Sequence, residues 1–337
     1  MQYTKEKIES LQKRWLTPHG KKLVRIIKDS HCYLSPVIFR QKIKNLPMAK
    51  NEEVADSIDL RGIPLSGFDF RVTVQEDDDG FSEDIAIFSN IHFEGATLRH
   101  CNFEGGKIHN CYFENADLSH SEFNNTTFNT CNFQESDLSG TDFHGAKLIS
   151  CDFLDATIKD VAFDSTIIDQ KTNFGKILKS EKEKNFHFAS IEYRQITEMY
   201  KNSSLNNLAD KFHYKELIAK RKNLPLQNPY RLLSYVFGDL LSKYGTSYLR
   251  IFGWVIVVIV GCAAAYFLND SLLFNNDLVK VTFADSLYFS ISTFTTLGYG
   301  DYHAIGWMRF LAGFESFVGV TLMSLFTVIA TRKIIRD

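Results

Sequence analysis

The sequence lacks the residue patterns by which most enzymes are recognised. Its ten histidines form no HExxH motif and no other paired spacing suited to a metal ion. No phosphate-binding glycine loop and no Ser/His/Asp set occurs either. We therefore expect a protein that is not an enzyme and needs no cofactor.

Two further absences concern membranes. No N-terminal apolar segment has the form of a signal peptide. No helix-length segment carries arginine at every third position, which excludes a voltage-sensing helix bundle. We therefore expect neither a signal peptide nor gating charges of a voltage sensor in this sequence.

Charge is unevenly distributed, although the formal net charge is only -2. Residues 1–50 carry 12 basic and 3 acidic side chains, whereas residues 51–170 carry 6 basic and 24 acidic ones. The acidic block could attract cations or basic partners, or it could only keep a domain soluble. The sequence leaves both readings open.

A period of five residues runs through the acidic block, and neither a helix nor a flat strand has that period. A small residue stands two positions before each large one, as Ala96 does before Leu98. The large apolar positions are Phe88, Phe93, Leu98, Phe103, Ile108, Phe113, Leu118, Phe123, Phe128, Phe133, Leu138, Phe143, Leu148, Phe153, Ile158, Phe163 and Ile168.

This pattern resembles the pentapeptide-repeat family, with ADL at 116–118 and SDL at 136–138. The resemblance implies a right-handed quadrilateral β-helix with four pentapeptides per coil. Large residues would fill the axis, and the small residue would let the corner turn. Leu60, Leu65 and Phe70 share the spacing, which predicts a partial first coil and an insertion near 72–85.

The last third of the chain contains two long apolar segments, 251–268 and 307–331, each long enough to cross a bilayer. Between them, 285–295 is too short to cross and suits a re-entrant helix. Basic residues precede the first segment and follow the second. This predicts a multi-pass protein of the cell inner (plasma) membrane with both termini in the cytoplasm.

The loop after the short helix reads TTLGYGD from Thr295 to Asp301. Four copies of such a loop can direct backbone carbonyls at a dehydrated ion and replace its water shell. Gly298 and Gly300 permit the left-handed backbone angles that this requires.

The loop resembles the selectivity filter of the potassium-channel family. The resemblance implies a homotetramer that binds K⁺ at Thr296, Leu297, Gly298, Tyr299 and Gly300. It also implies a hinge glycine at Gly319, for which simple close packing is the alternative. Residues that recur below the hinge at helical spacing could line an inner cavity: Val320, Met323, Thr327 and Thr331.

Four residues are predicted to support the filter: Thr295, Asp301, Ser292 and Glu315. Some family members pair the acidic residue after the filter with a glutamate in the pore helix. Ser292 occupies that position here, so Asp301 must find another partner. Glu315 is expected either to bond with Ser290, Ser292 or Thr293 behind the filter, or to face the cavity as a cation site.

These patterns predict a multi-domain chain with the following parts: an N-terminal helical cap (1–59), the pentapeptide β-helix (60–170), a cytoplasmic helical connector (171–228), and an α-helical transmembrane pore domain (229–337). The connector is predicted as a helix pair, 189–201 and 205–222. The pore domain is expected to begin with an amphipathic helix, which lies at the membrane surface or packs as an ordinary core helix. The basic cap could close one end of the β-helix, or touch anionic lipid or a neighbouring subunit.

Two weaker sites stay open. Four cysteines occupy the small position of the repeat, as packing residues or as a soft-metal or redox site: Cys101, Cys111, Cys131 and Cys151. The run 76–80 (EDDDG) could bind calcium or be a solvated loop. Cys32 and Cys262 stand apart.

The sequence thus favours a tetrameric potassium channel whose cytoplasmic repeat domain acts as sensor, scaffold or gate regulator. A cytoplasmic ligand or protein could bind that domain, and no nucleic acid is expected. The alternative is a membrane-anchored interaction protein that uses the acidic rod as a DNA mimic or scaffold.

Overall fold

The computed structural model describes residues 4–29, 58–71, 87–275 and 281–336. It divides into two compact units, Met1–Asn223 and Leu224–Asp337. Three predicted features lie outside the described residues: the calcium run at 76–80, the insertion at 72–85, and Cys32.

The first unit contains a β-solenoid of about four turns, as the five-residue period predicts. Its strands are β1 (Ile58–Asp59), β2 (Ile87–Ser89), β3 (Ile91–His92), β4 (Lys107–His109), β5 (Thr127–Asn129), β6 (Lys147–Ile149) and β7 (Ile167–Ile168). The ladder β2-β4-β5-β6-β7 is parallel, and Phe88 pairs with Ile108, which pairs with Phe128. Partners are twenty residues apart, so each coil consists of four five-residue sides.

Aromatic rings stack along the inside of this solenoid. Phe93, Phe113, Phe133 and Phe153 form one column, with centroids 5.2, 5.0 and 4.8 Å apart and nearly parallel planes. All four side chains are buried. The coil spacing of a parallel ladder is close to ring-stacking distance, so a Phe in every coil at the same position gives a continuous packed core.

The prediction that the small residue allows the corner to turn is wrong. The left-handed angle falls two residues after each large residue from Phe88 to Phe163, and the small residue does not adopt it. The corner residues with positive φ are Asn90, Gly95, His100, Gly105, Asn110, Asn115, His120, Asn125, Thr130, Glu135, Gly140, Gly145, Ser150, Asp155, Asp160 and Ser165. The small residues are buried instead, and Thr126 Oγ1 donates to Phe103 O in the coil before. The small residue is required because inner space is limited there, whereas the turn needs a residue that tolerates φ near +57°.

Residues 58–71 belong to a first coil, as the spacing of Leu60, Leu65 and Phe70 predicts. Pro64 pairs with Thr97 and Asp69 with Asn102, both in parallel register. These partners are 33 residues apart rather than twenty. The predicted insertion at 72–85 lies outside the described residues.

Two N-terminal helices, α1 (Lys5–Lys13) and α2 (Pro18–Asp29), pack on this first coil. A short 3₁₀ turn between them carries Arg14, whose guanidinium donates to both carboxylate oxygens of Asp59 at 2.7 and 2.8 Å. Trp15 Nε1 donates to Arg61 O at 2.7 Å. Burial raises the pKa of Asp59, but hydrogen bonds from Arg14 and Arg61 outweigh it and hold the pKa well below its usual range. The buried carboxylate therefore ties the helices to the solenoid.

The other end of the solenoid is covered by α3 (Lys179–Lys182), α4 (Phe186–Asn202) and α5 (Asn206–Asn223). Ile168 N donates to Ser203 Oγ at 2.9 Å, and Gln195 Nε2 donates to Val161 O at 2.7 Å. One hydrophobic core runs from Trp15 through the solenoid to Ala219. The helix pair predicted as a connector therefore also covers the last strand edge, which would otherwise be open to pairing.

The second unit begins with α6 (Pro229–Leu233) and a π-helical segment, Ser234–Leu240, whose apolar side chains Leu232 and Phe237 are exposed. Four elements follow up to the second long helix: α7 (Tyr248–Leu268), β8 (Leu272–Phe274), α8 (Phe283–Phe294) and β9 (Tyr302–Ala304). The last is α9 (Met308–Arg336). Helices α7 and α9 are long and apolar enough to cross a membrane.

The corner geometry predicts that Thr130→Asn stabilises the solenoid. Thr130 is β-branched and has φ 57°, a conformation that costs an L-residue about 1–2 kcal/mol and that asparagine tolerates better. We expect a gain of about 1 kcal/mol in the free energy of local opening, read as slower hydrogen exchange of the flanking strand amides. Thr127→Asn, inside β5, is the matched control and should give no gain. Equal protection in both variants would contradict this account of the corners.

Candidate functional site

The loop 295–301 begins where α8 ends. Thr295 is the C-cap of α8, and its backbone N–H and its hydroxyl both donate to Ile291 O, at 3.0 and 2.7 Å. Thr282 and Asp285 form a capping box at the other end of the helix. The negative end of the helix dipole therefore points toward the loop, which favours a cation there.

Left-handed backbone angles occur at every second residue of the loop. Thr296, Gly298 and Gly300 have φ of 58, 52 and 80°, whereas Leu297 and Tyr299 do not share the left-handed angle. A Cβ added at either glycine would meet nothing within 4 Å. Backbone conformation, rather than lack of space, therefore explains the two glycines, as predicted. The sequence did not predict the angle at Thr296, a β-branched residue.

Ser292 supports the loop through its main chain. Its carbonyl accepts from Leu297 N at 2.9 Å and from Gly298 N at 3.3 Å, while its hydroxyl donates to Phe289 O. Thr296 Oγ1 donates to Thr295 O at 2.7 Å. The start of the loop is thus folded back on the last turn of α8.

Asp301 has the additional partner that the sequence required. Its carboxylate accepts from Tyr302 N at 2.9 Å, and Tyr288 on α8 lies close to it. Tyr288 also stacks on Tyr299 with the ring planes 11° apart. The sequence reasoning missed Tyr288, although a tyrosine on a short apolar helix next to a glycine loop is a signal for such a contact.

The strand after the loop is also fixed. β9 pairs antiparallel with β8, with Leu273 opposite His303. The phenol of Tyr302 donates to Asp285 Oδ1 at 3.0 Å. Hydrogen bonds to Thr282 and Tyr302 hold the pKa of Asp285 below its usual range. Both ends of the loop are therefore attached to α8.

Glu315 lies on α9 and is fully buried. It accepts a hydrogen bond from the phenol of Tyr266 on α7 at 2.7 Å and another from Ser290 on α8. Of the three partners that the sequence offered, Ser290 is the one that donates to it, and Tyr266 was missed. A buried carboxyl with two hydroxyl donors joins the three helices of this unit.

Gly319 lies against the C-terminal end of α8. A Cβ at this position would stand 2.1 Å from Phe294 O, closer than atoms can approach. Close packing therefore accounts for this glycine by itself. Its role as a hinge stays a prediction.

The four residues predicted to line a cavity are all on the exposed side of α9. Val320 and Met323 are 54% and 46% exposed, and Thr327 and Thr331 are exposed as well. The hydroxyl of Thr327 donates to Met323 O at 2.9 Å. The helix face that they share is free to contact other groups.

The remaining candidates have weaker geometry. The four repeat cysteines are free and buried, and burial raises the pKa of Cys101 to about 12. Within the described ranges, no group of three or more His, Cys, Asp or Glu side chains is arranged to hold a metal ion. The four cysteines pack inside the solenoid, and a soft-metal or redox role stays a prediction.

Comparisons with known proteins agree with this division of the chain. Residues 249–336 match the ion channel family, residues 106–176 the pentapeptide repeat region family, and residues 86–115 the pentapeptide repeats family. The chain joins pentapeptide repeats to an ion channel domain. That domain and its two apolar helices indicate a membrane location. No curated protein matches the chain.

Solved structures similar to the chain include trypsin-treated QnrB1, a plasmid-mediated fluoroquinolone resistance protein, at 15% identity and TM-score 0.26 over 34% of this chain. A pentapeptide repeat protein from the Arabidopsis thaliana thylakoid lumen is 17% identical, with TM-score 0.26 over 38% of this chain and 77% of its own. HetL of Nostoc sp. strain PCC 7120 is 14% identical, with TM-score 0.22 over 34% of this chain. This chain spans about half, 54%, of the length of both QnrB1 and HetL.

The contact at Gly319 predicts that Gly319→Ala destabilises the second unit. The added methyl group would force α9 away from Phe294 O, and such overpacking costs about 1–3 kcal/mol. We expect a lower thermal midpoint of the detergent-solubilised protein. Gly313→Ala on the same helix is the control, because its Cβ would meet nothing within 4 Å. Unchanged stability in Gly319→Ala with altered opening would instead favour a hinge.

The buried hydrogen bonds predict different outcomes for two variants of Glu315. Glu315→Gln retains an acceptor for Tyr266 or Ser290 and should keep most of the stability. Glu315→Leu leaves both hydroxyls without their acceptor, at about 1–3 kcal/mol for each buried group. Thermal unfolding of the two purified proteins compares them directly. If the leucine variant is as stable as the glutamine variant, these hydrogen bonds do not hold the helices together.

Proposed function

We propose that this chain forms a tetrameric, potassium-selective channel. The observation that carries the proposal is the loop TTLGYGD at the C-terminal end of a short helix, between two helices of spanning length, with left-handed angles at Gly298 and Gly300. A filter made of backbone carbonyls needs these angles. Thr296, Leu297, Gly298, Tyr299 and Gly300 would supply the ion ligands.

The electrostatics of the loop support a cation rather than an anion. The C-terminal end of α8 adjoins it, and Asp301 lies at its far end. A helix C-terminus carries about half a negative charge. The proposal requires no cofactor and no catalytic step, because K⁺ is the permeant ion.

Four copies of the chain are required, since one loop presents only one wall of a filter. Leu297 and Tyr299 are 61% and 68% exposed in a single chain. Contacts with neighbouring copies would cover them. The proposal puts both termini in the cytoplasm, with the basic residues that flank α7 and α9 on that side.

The repeat domain would act on the gate as a sensor, scaffold or regulator. Residues 1–223 form one compact unit with a continuous core, so a binding event on the solenoid could shift the whole unit. Removing residues 1–223 together, rather than the repeats alone, avoids exposing the apolar faces of α4 and α5. An unchanged open probability in bilayers would remove this unit from gating.

Flux through liposomes that contain the purified full-length protein tests the proposal. We expect K⁺ and not Na⁺ to move down its gradient, because a carbonyl filter discriminates between the two ions. Gly298→Ala and Gly300→Ala should abolish selective flux, since an L-residue at their angles costs about 1–2 kcal/mol in each of four subunits. Each would be compared with Gly261→Ala.

Gly261 is the matched control because a Cβ there also meets nothing within 4 Å, yet the residue is helical in α7. Its variant should conduct normally. Equal passage of sodium would overturn potassium selectivity. Protein that carries no flux but binds a DNA topoisomerase would favour the membrane-anchored interaction protein.

A further inference from the structure

The outer surface of the solenoid has four sides, and two of them differ sharply in chemistry. Side 1 is the ladder of β2, β4, β5, β6 and β7. Side 4 is the stretch that precedes it in each coil, around Phe103, Phe123, Phe143 and Phe163. Each side displays the residues directly before and after its buried large residue. Four sides close one coil, so sides 4 and 1 meet at a corner at a right angle on average.

Side 1 is basic and partly apolar. Lys107 and Lys147 are exposed on it and have no salt bridge within the described residues. Its one acidic residue, Asp169, already accepts from Ser150 and Thr172. Between residues 87 and 168, the large apolar side chains that are exposed all lie on side 1: Ile87, Ile149 and Ile167.

Side 4 is acidic. Glu104, Glu122, Asp142 and Asp164 lie on it in successive coils. Arg71, in the first coil, pairs with Glu104 at 3.5 Å, and no lysine or arginine lies on this side between residues 102 and 164. Glu122 accepts only a neutral amide, from Asn102 at 2.6 Å. Glu122, Asp142 and Asp164 form no salt bridge among the described residues, and their charge favours a basic surface opposite them.

We propose that side 1 of one subunit packs against side 4 of the next, so that four solenoids form a closed ring. The proposal rests on the fourfold assembly of the proposed function. When four square rods stand side by side about a fourfold axis, each touches its two neighbours through two sides that share a corner. Sides 1 and 4 are such a pair. The interface is heterologous and closes after four copies.

This ring accounts for the lysines and exposed isoleucines of side 1 and for the acidic residues of side 4. Lys107 and Lys147 approach Glu122 and Asp142 of the neighbour, while the exposed isoleucines lose water contact. Two opposite sides with the same complementarity would instead build an open row of rods. The right angle between sides 1 and 4 is thus the feature that limits the assembly to a ring.

Cross-linking of full-length protein in membranes tests the ring. Two chains with different affinity tags are co-expressed, one with Thr127→Cys on side 1 and the other with Asn124→Cys on side 4. These positions leave every charge in place. A short bismaleimide is added, and a band that carries both tags must come from two subunits. We expect this heterodimer band, and its loss when Asn124→Cys is replaced by Ser139→Cys.

Ser139 is the matched control because it follows the buried Leu138 on side 3, as Asn124 follows Phe123 on side 4. Background from native cysteines is measured with both tagged chains otherwise unchanged. Lys107→Glu with Lys147→Glu should weaken the band, and Glu122→Lys with Asp142→Lys in the same chains should restore it. Restoration separates a charge contact from misfolding.

Three results would overturn the inference. Equal bands for Asn124→Cys and Ser139→Cys would mean random collision. No band in a protein that is fourfold by light scattering and conducts K⁺ would reject the ring and leave the proposed function intact, whereas a protein that is not fourfold would reject both. A thiol at position 127 that is protected only by anionic phosphatidylglycerol vesicles would make side 1 a lipid surface.

Discussion

Left-handed backbone angles at regular intervals shape both halves of this protein. In the solenoid they occur at every fifth residue, and in the loop after α8 they occur at Thr296, Gly298 and Gly300. Each such angle is unfavourable for an ordinary L-residue. The chain uses asparagine, glycine, aspartate and histidine at most corners, which reduces this cost, and it places glycine at two of the three positions in the loop.

The left-handed angles have different roles in the solenoid and in the loop. In the solenoid, each angle turns the chain so that large side chains point inward and stack, and the stack stabilises the corner. In the loop, a Cβ added at either glycine would meet no described atom within 4 Å, and the contacts that fix the conformation lie at its two ends. Ser292 O and the capped helix hold the beginning, and Asp301, Tyr302 and Asp285 hold the end. The loop is therefore only as rigid as α8.

Helix α8 in turn depends on its neighbours. Ser290 and Tyr266 donate to Glu315, and Gly319 lets α9 approach Phe294 O. A polar anchor and a close backbone contact thus fix the short helix from two directions. Helices also fix the solenoid of the first unit from two directions. Helices α1 and α2 cover one end of it, and α4 covers the other. Its sides, rather than its ends, are left to meet partners.

The sequence by itself determined the elements whose signal is periodic or local. The five-residue period and the resemblance to pentapeptide repeats predicted the solenoid, and the resemblance supplied its coil of four pentapeptides. The apolar lengths predicted α7, α8 and α9. Local chemistry also predicted the angles at Gly298 and Gly300. Only the tertiary structure decided which hydroxyl of three donates to Glu315, that Tyr266 joins it, that Tyr288 stacks on Tyr299, and that Gly319 packs against Phe294. These contacts join residues distant in the chain, and their choice depends on helix rotation and approach, which no local pattern encodes.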